Sequence, residues 1–340
     1  MAWQTTRLET HTLQRLSDEH AARGLEFFAE YEATRTQLVE SIFGEIKGIQ
    51  PDLSDHGPDH IANVQENAYQ LLSDHHDLHK LKALDLYCLG MAILFHDVGN
   101  LFGRKHHQKE VGKVFDWARG TDAKIRHERT LILRLAGAHT GTATDGTSDT
   151  LKEVNEKDHL YGEGVQLRSI AAILRFADEL AEGPQRTSEF AREHGLIKNA
   201  SKIYHEYASV TNIRADRGTQ RIQVSYEIPL QTSDITRWQK RGKQLSTLLR
   251  FVYARVVKLD QERRYNRFYS EALLPFRSTE VTFMFHSERA LLDVDLPPLV
   301  LDDKVVPGDR TKTVPQIDSH YEITTLTQAV LKQLKKAGRR

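Results

Sequence analysis

Residues 94–100, LFHDVGN, close an apolar run with a histidine and an aspartate side by side, just ahead of a glycine. A helix that buries Ile93, Leu94 and Phe95 brings two strong metal-binding side chains, His96 and Asp97, towards the same interior, so partners for them are sought first. Outward from this point, residues 81–97 read as one helix stopped at Gly99. Upstream, Pro58 suits the first position of a helix that runs to about Leu72 with Ile61, Val64, Ala68, Leu71 and Leu72 inward. Downstream, helices are expected at about 107–118 and 122–138, then a loop at 140–150 (TGTATDGTSDT), then a strongly periodic helix at 165–180 (VQLRSIAAILRFADEL). Residues 7–49 also read as helical, with Leu38, Ile42, Phe43 and Ile46 on one buried face.

The ionisable residues of these helices gather at their ends. His60 lies in the first turn after Pro58, His96 and Asp97 close the next helix, His106 and His107 open another, His139 closes the following one, and Asp178 stands near the end of the last. Packed as a bundle, the helix ends can bring four histidines and two aspartates to one pocket. An aspartate that bridges two cations while imidazoles fill the outer positions suits a hydrolytic site with two metals about 3.5–4 Å apart. Nitrogen and oxygen donors without thiolate suit Mn, Fe, Co, Ni or Zn, with Mg also admitted.

SDHGPDHIANV (54–64), LFHDVGN (94–100) and LRFADEL (174–180), in this order, resemble the first, second and last motifs of the HD-domain superfamily of metal-dependent phosphohydrolases. GRKHHQKEVG (103–112) and LAGAHTG (135–141) are similar to the third and fourth motifs of its two-metal branch. The resemblance covers roughly residues 50–183. It implies a helical fold, a metal ligand set of His60, His96, Asp97, His107, His139 and Asp178, and hydrolysis of a phosphate ester or anhydride. His107 falls about where relatives place the helix-opening histidine, and His106 is the alternative. His127 competes because its distance from Asp97 matches longer relatives, yet it lies 12 positions before His139 on one predicted helix, about three turns away. Many two-metal relatives carry a phosphate-contacting lysine three positions after the paired aspartate; here Asn100 stands there, so Arg104 or Lys105 is expected to supply the missing charge. Some relatives have an extra ligand at the offset of His56, which otherwise reads as a turn or capping residue. Arg186 is a candidate substrate contact at the pocket mouth, whereas Arg175 reads as a structural partner of a carboxylate. His75, His76 and His79 read as a solvated surface.

The texture changes after Gly183-Pro184. ASVTNIRADRGTQRIQVSYEI (208–228) alternates polar and apolar residues around DRGT, as a β-hairpin does. A long charged helix is expected at about 233–272, a strand at EVTFMFH (280–286), a Pro-rich passage to about 316 and a final amphipathic helix. The expected fold is mainly α. It has an N-terminal helical segment (1–50) packing on an HD-type helical domain (51–184), followed by a smaller α+β portion (185–340) with a β-hairpin and a long helix.

The chain has 340 residues, 47 basic and 47 acidic, so no global field points to nucleic acid or anionic lipid. One cysteine, Cys88, excludes an internal disulfide framework and fits a reducing compartment. The start has no signal-peptide layout, and the most apolar run, 86–95, is far too short to span a bilayer. These features lead to the expectation of a cytoplasmic protein with no membrane partner. The expected activity is metal-dependent hydrolysis of a nucleotide-type or other phosphorylated substrate by an activated water, with Asp97, Asn100, Arg104 and Lys105 at the reacting phosphate. The alternatives are a single-strand DNA or RNA nuclease and a non-catalytic nucleotide-sensing module. The α+β portion after 184 is expected to shape substrate choice or to mediate homo-oligomerisation.

Overall fold

The computed structural model describes residues 3–49, 56–72, 81–105, 107–231, 238–288, 290–304 and 311–338. His75, His76, His79 and His106 lie outside the described residues. Contacts divide the chain into two units, Met1–Ala181 with Tyr265–Pro275, and Glu182–Arg264 with Phe276–Arg340. The division falls at 181/182, against an expected boundary at 184/185, and residues 265–275 return to the first unit. The fold is mainly α with a small α+β portion.

The first unit holds α1 (Arg7–Ser41), α2 (Phe43–Ile49), α3 (Pro58–Leu72), α4 (Ala83–Phe95), a 3-10 turn (Val98–Phe102), α5 (His107–Arg119), α6 (Arg126–Ala138), the strands β1 (Asp158–Leu160) and β2 (Glu163–Val165), and α7 (Leu167–Glu179). Helix α4 is its axis. Each of its residues is buried, and it packs against α1, α3, α6 and α7. A helix apolar all round belongs in a core rather than on a surface. The neighbours turn one stripe to it: Ile61, Val64, Ala68 and Leu71 of α3, and Ile170, Ile173, Leu174 and Ala177 of α7, are all buried. Helix α1 starts with a capping box in which Thr6 and Glu9 satisfy each other's backbone. Among the described residues, no single helix is long and apolar enough to cross a membrane.

The hairpin β1–β2 occupies a stretch, between the expected loop at 140–150 and the expected helix at 165–180, to which the sequence assigned no element. Its last residue, Val165, stands at the expected start of that helix. Tyr161 and Gly162, both at positive φ, make its two-residue turn, and three-residue strands are too short to reveal a period of two.

The second unit holds α8 (Glu189–Glu193), α9 (Lys202–Val210), β3 (Thr211–Asp216), β4 (Arg221–Pro229), α10 (Trp238–Tyr269, its last residues counted with the first unit), β5 (Ser278–His286), β6 (Leu299–Asp302), α11 (Val314–Ile317) and α12 (Ile323–Ala337). The sheet order is β3-β4-β5-β6. β4 and β5 are parallel, joined by the crossover containing α10, and the other pairs are antiparallel. Ile222, Val224, Tyr226, Ile228, Val281, Phe285, Leu299 and Leu301 are buried on one face of the sheet. Two differences from the expected layout are local. The hairpin begins at Thr211, because residues 202–210 finish α9. The Pro-rich passage contains β6, whose four residues alternate buried and exposed. Arg263, wholly buried, donates to Asp260, to Thr279, to the Phe276 carbonyl and to Asp303.

Candidate metal centre

Five helix ends of the first unit meet at Asp97. His60 is on the first turn of α3, which Pro58 opens. His96 is the C-cap of α4, and Asp97 follows at φ −111° and ψ −1°, a sparsely populated backbone conformation that turns the chain out of the helix. His107 is the first residue of α5, His139 is the C-cap of α6, and Asp178 lies in the last turn of α7. The C-terminal ends of α4, α6 and α7 carry partial negative charge, which favours a cation among them.

The two oxygens of Asp97 face different partners. Oδ2 lies 3.3 Å from His96 Nε2 and 3.6 Å from His60 Nε2. Asp178 Oδ1 closes that half at 3.3 Å from His60 and 3.7 Å from His96. Oδ1 of Asp97 lies 3.3 Å from His107 Nε2 and 3.6 Å from His139 Nε2. The donors therefore form two groups with Asp97 in common, His60–His96–Asp97–Asp178 and Asp97–His107–His139. These separations exceed those of ordinary hydrogen bonds and leave room for an ion between donors.

Three of the imidazoles share one anchoring device. His96 Nδ1 is 2.8 Å from the Ile93 carbonyl, His139 Nδ1 is 2.5 Å from the Ala136 carbonyl, and His107 Nδ1 is 3.0 Å from the Arg104 carbonyl. A carbonyl only accepts, so each Nδ1 carries a hydrogen, and in its neutral form each ring points the lone pair of Nε2 inward. That is the tautomer a metal ligand needs. At His96 and His139 the bond also satisfies a carbonyl left open by the helix end. Among the described residues, the Nε2 atoms of His60, His96 and His107 are buried without a hydrogen-bond partner. Buried polar atoms are normally satisfied, so these orphaned nitrogens fit ligation of a cation. The donor set passes that test.

The electrostatics agree. Burial opposes charge on the His96 imidazole, but the Asp97 and Asp178 carboxylates outweigh it and raise its pKa well above the usual histidine value. Burial likewise pushes the Asp97 carboxyl up, and His96 and His56, with contacts from His107 and His139, outweigh it and hold it well below the carboxylate range. Asp178 is depressed in the same way, by His60 and His96 against its own burial. The carboxylates thus demand positive charge, which protons or cations can supply. His60, His96 and Asp97 are almost wholly buried, while the side chains of His107 and Asp178 are 13% and 25% exposed and form the solvent side of the cluster.

The remaining candidates fall outside the two donor groups. Buried Asn100 donates through Nδ2 to Asp97 Oδ1 at 3.0 Å, so its amide serves the shared carboxylate. His56 donates from Nδ1 to Asp97 Oδ2 at 2.7 Å. Arg104 and Lys105 are exposed on the turn that leads into α5. His127 is outside both groups; its Nε2 contacts the His159 carbonyl at 2.6 Å, and it clusters with Asp158 and His159. Arg175 donates to Thr150 Oγ1 and lies over the Tyr265 ring. Arg186 belongs to the second unit, buried and paired with Glu182 at 3.3 Å. One residue gains a role that the sequence reading did not give it. Gly99, taken as a helix stop, lies where a Cβ would collide with the His107 carbonyl, so the glycine lets the turn after Asp97 seat the start of α5. The HDVG spacing carries that signal only when the next element is known to pack on it.

The HD-CE family matches residues 50–252, more than half of the chain. No curated protein and no solved structure gives a match. The chain belongs to the HD-CE family.

Proposed function

We propose that this HD-CE family member is a metal-dependent phosphohydrolase that uses two divalent ions and acts on a nucleotide-type substrate. The observation that carries the reading is the division of Asp97, one oxygen towards His60, His96 and Asp178 and the other towards His107 and His139. Divalent cations held by these groups would lower the pKa of a water towards neutrality and stabilise charge on phosphoryl oxygens. The chain's own residues do the rest. His96, His107 and His139 keep their Nε2 lone pairs aimed inward through fixed Nδ1 hydrogen bonds. Arg104 and Lys105, exposed beside His107, draw the substrate phosphate to the solvent side of the cluster. In the reaction, water oxygen bonds to phosphorus, the ester or anhydride P–O bond breaks, and a proton passes to the leaving oxygen. The buried Cys88 thiol, pushed up in pKa by burial and hence unreactive, is at home in the reducing cytoplasm.

The test is a screen of metal-stripped protein reloaded with Mn²⁺, Ni²⁺, Co²⁺ or Mg²⁺ against an activated phosphodiester and a panel of cyclic and linear nucleotides, with Asp97→Ala as control. Metal-dependent turnover that the control loses by more than about 100-fold is expected. Equal turnover by wild type and Asp97→Ala overturns the assignment. Nucleotide binding without turnover under any metal replaces it with a sensing role, and salt-sensitive cleavage confined to oligonucleotides replaces it with a nuclease.

A further inference from the structure

We infer that His56 and Asn100 are positioning residues that tune the two halves of the centre separately, each locking one oxygen of Asp97. The inference rests on the two-ion reading above. His56 Nδ1 donates to Oδ2 at 2.7 Å and Asn100 Nδ2 donates to Oδ1 at 3.0 Å. Each oxygen therefore takes one hydrogen bond and also faces two imidazole Nε2 atoms. Oδ2 faces those of His60 and His96, and Oδ1 those of His107 and His139. A carboxylate oxygen has two lone pairs; with one committed to its lock, the other is left for an ion. Together the locks stop rotation of the carboxylate plane. If one lock is lost, the remaining one still pins its own oxygen, and the displacement falls on the released oxygen.

Each lock also adjoins its own half. The His56 ring stands edge-on to the His60 ring, centroids 5.4 Å apart. Asn100 follows Gly99, the residue pressed against the His107 backbone. In this arrangement His56 acts through Asp97, because its Nδ1 is committed to Oδ2 of that carboxylate.

Metal affinity reads the inference directly, without catalysis. Mn²⁺ is titrated calorimetrically into the metal-stripped full chain in two backgrounds. His107→Ala leaves the Oδ2 half intact, and His60→Ala leaves the Oδ1 half intact. Circular dichroism melts confirm that each variant is folded. His56→Ala should weaken the remaining ion about 10–100-fold in the His107→Ala background and change it little in the His60→Ala background; Asn100→Ala should do the reverse. His56→Asn, which puts an amide nitrogen near the position of Nδ1, should recover most of the loss, a rescue that a general packing defect would not show. Equal weakening in both backgrounds overturns the inference and leaves the two-ion reading standing. So does loss of a further Mn²⁺ equivalent on His56→Ala, which would make His56 a ligand. A single equivalent in the wild type overturns the two-ion reading itself.

Discussion

Two buried polar clusters, one in each unit, are built to opposite rules. In the second unit the fully buried Arg263 guanidinium spends its donors on Asp260, Thr279, the Phe276 carbonyl and Asp303. In the first unit the Nε2 atoms of His60, His96 and His107 are buried too, but among the described residues they have no hydrogen-bond partner. Desolvating a polar group costs free energy unless a partner compensates. The Arg263 cluster is complete and holds β5 and α10 in place. The Asp97 cluster leaves Nε2 atoms without partners among the described residues, and that incompleteness fits a metal site.

The contrast can be broken at either end. Arg263→Ala leaves Asp260 buried with Arg264 at 2.6 Å and the Thr279 hydroxyl at 3.0 Å but without its buried guanidinium, so a loss of about 3 kcal/mol in unfolding free energy is expected. Bound metal should be unchanged. Denaturant unfolding and elemental analysis of the same sample check both halves of the statement, and a loss of metal without a loss of stability would reverse the roles given to the clusters.

Next in size is the comparison of two histidines on α6. His139→Ala removes a donor from the Oδ1 half and should weaken one ion by about 100-fold or more. His127, which lies against Asp158 and His159 and outside both donor groups, should leave both ions alone when replaced by alanine. Mn²⁺ isotherms of the two variants decide between them, and the opposite pattern would contradict the placement of His139.

The smallest expected effect sharpens the electrostatic side. Without a cation, the carboxylates hold a proton on His96 above its ordinary pKa of 6.5, and an incoming ion must displace it. Metal affinity should therefore fall as pH is lowered, about tenfold per unit for one displaced proton. It should level off above the raised pKa, where that proton is already gone. Calorimetry in buffers of different ionisation enthalpy counts the released protons, and an affinity independent of pH from 6.5 upward would count against a protonated His96.

Much of the centre was legible because its ligands sit at helix termini, where sequence signals are strongest. Pro58 announced the helix that carries His60, and the apolar run to Phe95 announced the interior position of His96 and Asp97. His107 was preferred to His127 because His127 lies about three turns before His139 on one helix, and packing puts His107, not His127, beside Asp97. The role of Asn100 was hidden because an amide reads as a substrate donor until its partner is known. Short strands escaped for want of length, as at β1, β2 and β6. The return of residues 265–275 to the first unit had no local signal at all; it depends on Tyr265 and Tyr269 bonding Asp149, more than a hundred positions away.

The most direct test of the central claim is the number of ions held per chain when metal-stripped protein is reloaded with Mn²⁺, dialysed and weighed against protein concentration by elemental analysis. With Asp97 shared between two donor groups, the wild type should hold two ions, His139→Ala one, and Asp97→Ala none. Retention of the wild-type metal content by folded Asp97→Ala would contradict the account.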